Sequence, residues 1–172
     1  MIQTQLVRLV CCFFAIIYIA GCAVPKRAED PYTSTISFWA GRLAVHAEPD
    51  LAAGQSQAQA FSAAFELRGS ADVGELLLLT PLGSTAASIR WNPKGAELQA
   101  QGATHQFGSL QQLVLHALGS SVPVPALFQW LRGQAVAADG WQVDLSLFTQ
   151  GKIMARRDQP EPRAELRLVL EQ

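Results

Sequence analysis

The chain has 172 residues, of which 49% are hydrophobic and 16% charged, with a formal net charge of −1. Without a basic patch or a charge run it is not suited to nucleic acid. Three cysteines and three histidines, none at metal-ligand spacing, give neither a disulfide framework nor a metal site.

Arg8 supplies a thin positive region, and the twelve residues from Leu9 to Ala20 are all apolar. A spanning helix needs roughly 20 such residues, so a secretory signal is expected instead. The run ends in Ile19-Ala20-Gly21-Cys22, which resembles the lipobox of bacterial lipoprotein signals. That resemblance implies cleavage after residue 21 and lipid on Cys22; the alternative is an ordinary signal with an accidental cysteine. Cys11 and Cys12 leave with the signal, so the mature chain has no second cysteine and must be held by its core. Ala23 stands where an aspartate implies inner-membrane retention, so the resemblance implies the outer membrane. The expected organisation is a signal peptide over 1–21, a lipidated tether over 22–37 and one domain over 38–172.

Ala23 to Ser37 is polar and carries Pro25 and Pro31, as a tether does. Period-two alternation predicts strands over Phe38 to Ala47 and Gln57 to Arg68. Leu76 to Leu79 reads as a buried strand running into Thr80-Pro81-Leu82-Gly83-Ser84-Thr85. Pro81 presets one corner of that turn and Gly83 can take a backbone conformation closed to most residues, which carries Leu82 to the tip. A leucine there either points outward or folds back as a cap on the core. Further strands are predicted over Thr85 to Trp91, Ala96 to Ala100 and Thr104 to Phe107, making an antiparallel meander.

The period then changes. Ser109 is an N-cap for a helix with Leu110, Leu113, Val114 and Leu118 on one face, ending at Gly119. Val122-Pro123-Val124-Pro125 interrupts it, and a second short helix is expected from Ala126 to Leu131, stopped by Gly133. Strands resume over Trp141 to Leu147, Lys152 to Asp158 and Ala164 to Leu170.

No nucleophile elbow, phosphate loop or dinucleotide fingerprint is present. Asp139 and Asp144 read as a turn residue and a solvated strand face rather than an acid pair. The expectation is a protein that is not an enzyme and uses no cofactor. A sheet curled around two apolar helices makes either a closed core, the commoner use, or a hydrocarbon-lined pocket.

In chain order the motifs are Gly41-Arg42-Leu43-Ala44-Val45, Pro81-Leu82-Gly83-Ser84-Thr85, Leu118-Gly119, Val122-Pro123-Val124 with Leu127, Trp130-Leu131-Arg132-Gly133, Gly140-Trp141-Gln142-Val143 and Leu166-Arg167-Leu168-Val169-Leu170. Behind a lipobox, this series resembles the LolB family of outer-membrane lipoproteins. The resemblance implies a mainly β fold with a few short helices (α+β), an incomplete antiparallel β-barrel covered by a helical lid, LolA/LolB-like. It implies a monomer on the periplasmic face of the outer membrane that accepts acylated lipoprotein cargo from a LolA-type carrier and inserts it into outer-membrane lipid. It gives Pro81, Leu82 and Gly83 the role of a membrane-insertion turn. Trp39, Phe61, Phe65, Leu77, Leu113 and Trp130 are the candidate linings of an acyl cavity, their facing resting on an assumed strand register. The alternative is a lipid or hydrophobic-ligand binding envelope lipoprotein of the same scaffold. Two features depart from the family pattern: the short segment between Cys22 and Phe38, which leaves little room for a further lid helix, and the lack of a tryptophan after the last strand.

Overall fold

The computed structural model describes residues 37–50, 56–118 and 121–171. The expected signal peptide, Cys22 and nearly all of the tether lie outside the described residues. Nine strands form one antiparallel sheet: β1 (Phe38–Ala47), β2 (Gln59–Gly69), β3 (Gly74–Leu79), β4 (Thr85–Asn92), β5 (Gly95–Ala100), β6 (Ala103–Phe107), β7 (Trp141–Asp144), β8 (Lys152–Arg157) and β9 (Ala164–Leu170). Two helices, α1 (Leu110–Leu118) and α2 (Val124–Trp130), separate β6 from β7. The spatial order is β6-β5-β4-β3-β2-β1-β9-β8-β7, so β6 and β7 end the sheet without pairing to each other. This is the antiparallel meander that the strand pattern predicts, in the open barrel with short helices that the resemblance implies.

Alternation assigns the two faces. Leu43 and Val45 of β1, Phe65 and Leu67 of β2, Ile89 and Trp91 of β4, Ile153 and Ala155 of β8, and Leu166 and Leu168 of β9 belong to one apolar cluster with both helices. From α1, Leu113 is fully buried in it, and from α2, Val124, Ala126, Phe128 and Trp130 are buried. Indole N–H groups tie this layer together. Trp39 donates to the Leu131 carbonyl (3.1 Å), Trp91 to Ser70 (3.0 Å), Trp130 to Val136 (2.8 Å) and Trp141 to Ser121 (3.0 Å), so no buried indole is left unpaired.

Element boundaries shift by one to three residues from the sequence expectation, and two of the shifts have a local cause. The second helix begins at Val124 rather than Ala126, with Pro125 inside its first turn, where a missing N–H costs nothing. The expected strand from Trp141 to Leu147 stops at Asp144, whose carboxylate accepts the Ser146 N–H (2.8 Å) and bends the chain into a 3-10 turn over Phe148–Gln150. The expected cap of α1 is present: Ser109 Oγ accepts the Gln112 N–H (3.2 Å), and Gln112 Oε1 accepts the Gly108 N–H (3.1 Å). Its expected stop, Gly119, lies outside the described residues.

The strands are unequal in reach. β2 pairs with β1 from Arg68 to Gln59, but with β3 only as far as Ala64, opposite Leu79. β3 is antiparallel to β2 and therefore parallel to β1, so the chain enters the sheet at the end from which the β3–β4 tip points away.

Candidate functional site

The β3–β4 tip is built by its own polar groups. The Gly83 N–H donates to the Thr80 carbonyl (2.9 Å) and the Thr80 N–H to the Ser84 carbonyl (2.8 Å), while the two hydroxyls of Thr80 and Ser84 lie 2.8 Å apart. Gly83 has φ +81°, a conformation that a β-carbon disfavours, and open space surrounds it. A register shift between Leu78 and Leu79 adds local twist just before the turn. Leu82 stands at the apex, 96% exposed. Of the two positions the sequence allows, outward or folded back on the core, the side chain occupies the outward one.

The six candidate lining residues separate into three groups. Trp39, Phe65, Leu113 and Trp130 come together in or against the core, where they fill space. Phe61 is on the same face but is 40% exposed, against 3% for Phe65 four residues further along the strand. It borders an apolar cavity of about 200 Å³, lined by Val45, Gln59, Ala60, Phe61, Ala117 and Leu118, between the β1–β2 pair and the end of α1. That is smaller than the ~300–1,000 Å³ of most ligand pockets. Leu77 is the correction. It pairs with Glu66 and Ser88 on the outer face, while Leu76 and Leu78 pack against the core. Gly74 sets that parity: a β-carbon there would meet the Trp91 ring at 2.4 Å, so Gly74 faces inward and the even-numbered leucines follow it.

A second hollow of about 570 Å³ opens where Ala44, Val45 and His46 meet Ala60, Phe61, Ser62, Glu165 and Arg167. On its rim Glu165 pairs with Arg156 (3.0 Å) and with Arg167. Burial works to raise the Glu165 carboxyl, but hydrogen bonds and charge from Arg167 and Arg156 outweigh it and hold the group below its ordinary value.

Sequence reasoning missed Arg157. It follows Ile153 and Ala155 into the inward register and is 5% exposed. Its guanidinium donates to the carbonyls of Pro162 (2.8 Å) and Ser121 (3.1 Å) and lies over the Trp141 ring. Burial lowers its pKa from the ordinary arginine value. Since Ser121 precedes α2 and its carbonyl also accepts from Trp141, the pair fixes the chain where the helical layer turns back onto the sheet. Alternation alone could have found it, but a cation at an inward position reads as solvent-facing. Among the described residues no cluster of three His, Cys, Asp or Glu is placed to hold a metal, and no helix is long and apolar enough to cross a membrane.

A family model described as "Outer membrane lipoprotein LolB" matches residues 39–159. The outer-membrane lipoprotein LolB of Bordetella petrii is 30% identical over 177 residues, covering 90% of this chain and 87% of that protein. That of Bordetella pertussis is 30% identical, covering 93% and 90%. A LolB of Shewanella woodyi is 35% identical over a shorter stretch, 56% of this chain and 45% of its own length. With its open barrel, helical layer and exposed Pro-Leu-Gly tip, this chain belongs to the LolB family of outer membrane lipoproteins.

Proposed function

We propose that this protein is anchored in the outer membrane by lipid on Cys22, takes acylated lipoproteins from a LolA-type periplasmic carrier, and releases them into outer-membrane lipid. Residues 1–21 act as the signal, 22–37 as the tether and 38–172 as the working domain, which acts as a monomer. The observation that carries this reading is Leu82, which is almost wholly in solvent on a tip held by hydrogen bonds at both its corners. An apolar side chain kept out of its own core gains about 1.5–3 kcal/mol when it enters a hydrocarbon phase.

Handover needs no bond chemistry. Acyl chains pass between apolar interiors down a difference in affinity, and water stays excluded from them. Entry here begins at the cavity beside Phe61, and α1 moves off β5 and β6 to enlarge it. The helix is short and rests on the sheet mainly through Leu113, with Leu110, Val114 and Leu118 partly buried. A few side chains returning to water is a cost that bound acyl chains offset, because they cover the same surface.

The test is transfer of an acylated lipoprotein from the purified carrier to the mature protein, with and without the Cys22 lipid, into liposomes. Transfer to both forms, with insertion faster for the lipidated one, is expected. A protein that binds free lipid but takes no cargo from the carrier is instead a hydrophobic-ligand binder of the same scaffold.

A further inference from the structure

The unequal reach of β2 and β3 leaves a main-chain edge. Gly69 donates to the Ser37 carbonyl (3.0 Å) on the β1 side, and Ser70 donates to the Val73 carbonyl (2.8 Å) on the β3 side. Odd-numbered residues of β2 therefore direct their N–H and C=O groups to β1, and even-numbered ones to β3. Ala64 meets Leu79, the last residue of β3. Beyond it, Ala60 and Ser62 point the same way with no strand of the described residues beside them, and both are exposed. The β3–β4 tip does not satisfy them, because Thr80, Gly83 and Ser84 bond among themselves. Among the described residues nothing pairs with these two donors and two acceptors, which lie about 6.8 Å apart along the strand.

Exposed edges of this kind are normally guarded by charge, proline or a bulge. Gln59-Ala60-Phe61-Ser62-Ala63 carries neither charge nor proline, and its pairing with β1 is unbroken. The edge also divides the two hollows: Ala60 and Phe61 line the apolar cavity of about 200 Å³ and the wider groove of about 570 Å³. Small side chains at Ala60, Ser62 and Ala63 leave room for a second backbone.

We propose that the free edge of β2 at Ala60–Ser62 takes the extended N-terminal peptide of an acylated protein as an added strand, while its acyl chains enter beside Phe61. The proposal rests on the acyl-carrying function inferred above. In an acylated lipoprotein the hydrocarbon chains and the peptide diverge from a single cysteine, so their binding sites must adjoin. Gln59, Ala60 and Phe61 are where such sites adjoin here. Main-chain pairing reads no side chains, which suits a protein that must accept cargo of unrelated sequence.

The test uses the mature chain and two synthetic probes, a diacylglyceryl-cysteine amide and the same group carrying a six-residue peptide. The peptide should tighten binding about tenfold, the worth of two or so net hydrogen bonds. N-methylation of the peptide backbone should abolish that gain on the unaltered protein. Ser62→Pro removes an N–H that no strand of the sheet uses and sets a ring on the edge, so the fold should be retained. It should bind both probes equally, at the affinity of the parent for the cysteine amide. Equal tightening by the peptide and its N-methylated form, or by parent and Ser62→Pro, overturns the proposal and leaves the acyl-carrying function standing. Failure to bind the cysteine amide overturns both. A parent that dimerises where Ser62→Pro stays monomeric assigns the edge to a second copy and also overturns it.

Discussion

Leu82 has nowhere to retreat. Pro81 fixes the entry to the turn, Gly83 at φ +81° fixes the exit, and the Thr80–Ser84 bonds close the base. Replacing Leu82 by glutamate removes no packing, so the melting temperature should stay within about 2 °C of the parent. Insertion of cargo into liposomes should fall about tenfold, since a carboxylate forgoes the ~1.5–3 kcal/mol that the leucine gains in lipid. Unchanged insertion by Leu82→Glu would remove the tip from the pathway. This residue was legible in the sequence because a proline and a glycine frame it. Leu77 was not, because four consecutive leucines have no period; Gly74, making room for the Trp91 ring, sets the parity from outside the run. Phe61 shows a different limit. It was placed on the correct face, but its exposure comes from β3 ending early, which no alternation encodes.

Among the elements, α1 is the one with divided loyalties. Leu113 is wholly buried, yet Leu115 on the same helix is half exposed and the helix touches little beyond β5 and β6. Its cap at Ser109 and Gln112 holds the first turn, and the His116 ring lies against Phe107 (5.3 Å) near the last. Leu113→Ala should cost about 2–5 kcal/mol if the helix is one cooperative unit with the sheet. We expect less of that in global stability and more in local opening: amide exchange over residues 110–118 should speed by at least about tenfold while β4 and β9 change little. Uniform acceleration across the sheet would mean that α1 is a fixed part of the core. The existence of both helices was readable from the change of period at Ser109. The start of α2 was read less well, because Pro125 is as acceptable in a first turn as between helices, and so was the end of β7, which the Asp144 side chain sets and hydropathy does not.

At the scale of the whole molecule, the strand meander and its helical insertion were legible as a sequence of periods, and the ordered motifs supplied the open barrel. The closure around Arg157 was not, since a buried cation is acceptable only where carbonyls such as those of Ser121 and Pro162 converge on it, a property of the assembled loops. The direction in which the chain enters the sheet has a further consequence. From Glu75, level with Phe38 across the sheet, to Leu82 is a run of at most about 23 Å, and it points away from Ser37. With the proposed lipid on Cys22, the segment from Cys22 to Ser37 can pay out at most about 50 Å. That is about twice the run, enough for the domain to turn over and present Leu82 to the same bilayer that holds its lipid. Removing five residues from the segment should therefore leave insertion unchanged, removing ten should slow it, and ten replaced by Gly and Ser should restore it, all read in the liposome assay. Slowing by the five-residue deletion, or no rescue by Gly and Ser, would show that the segment acts through its sequence. What the tether contributes on this geometry is slack.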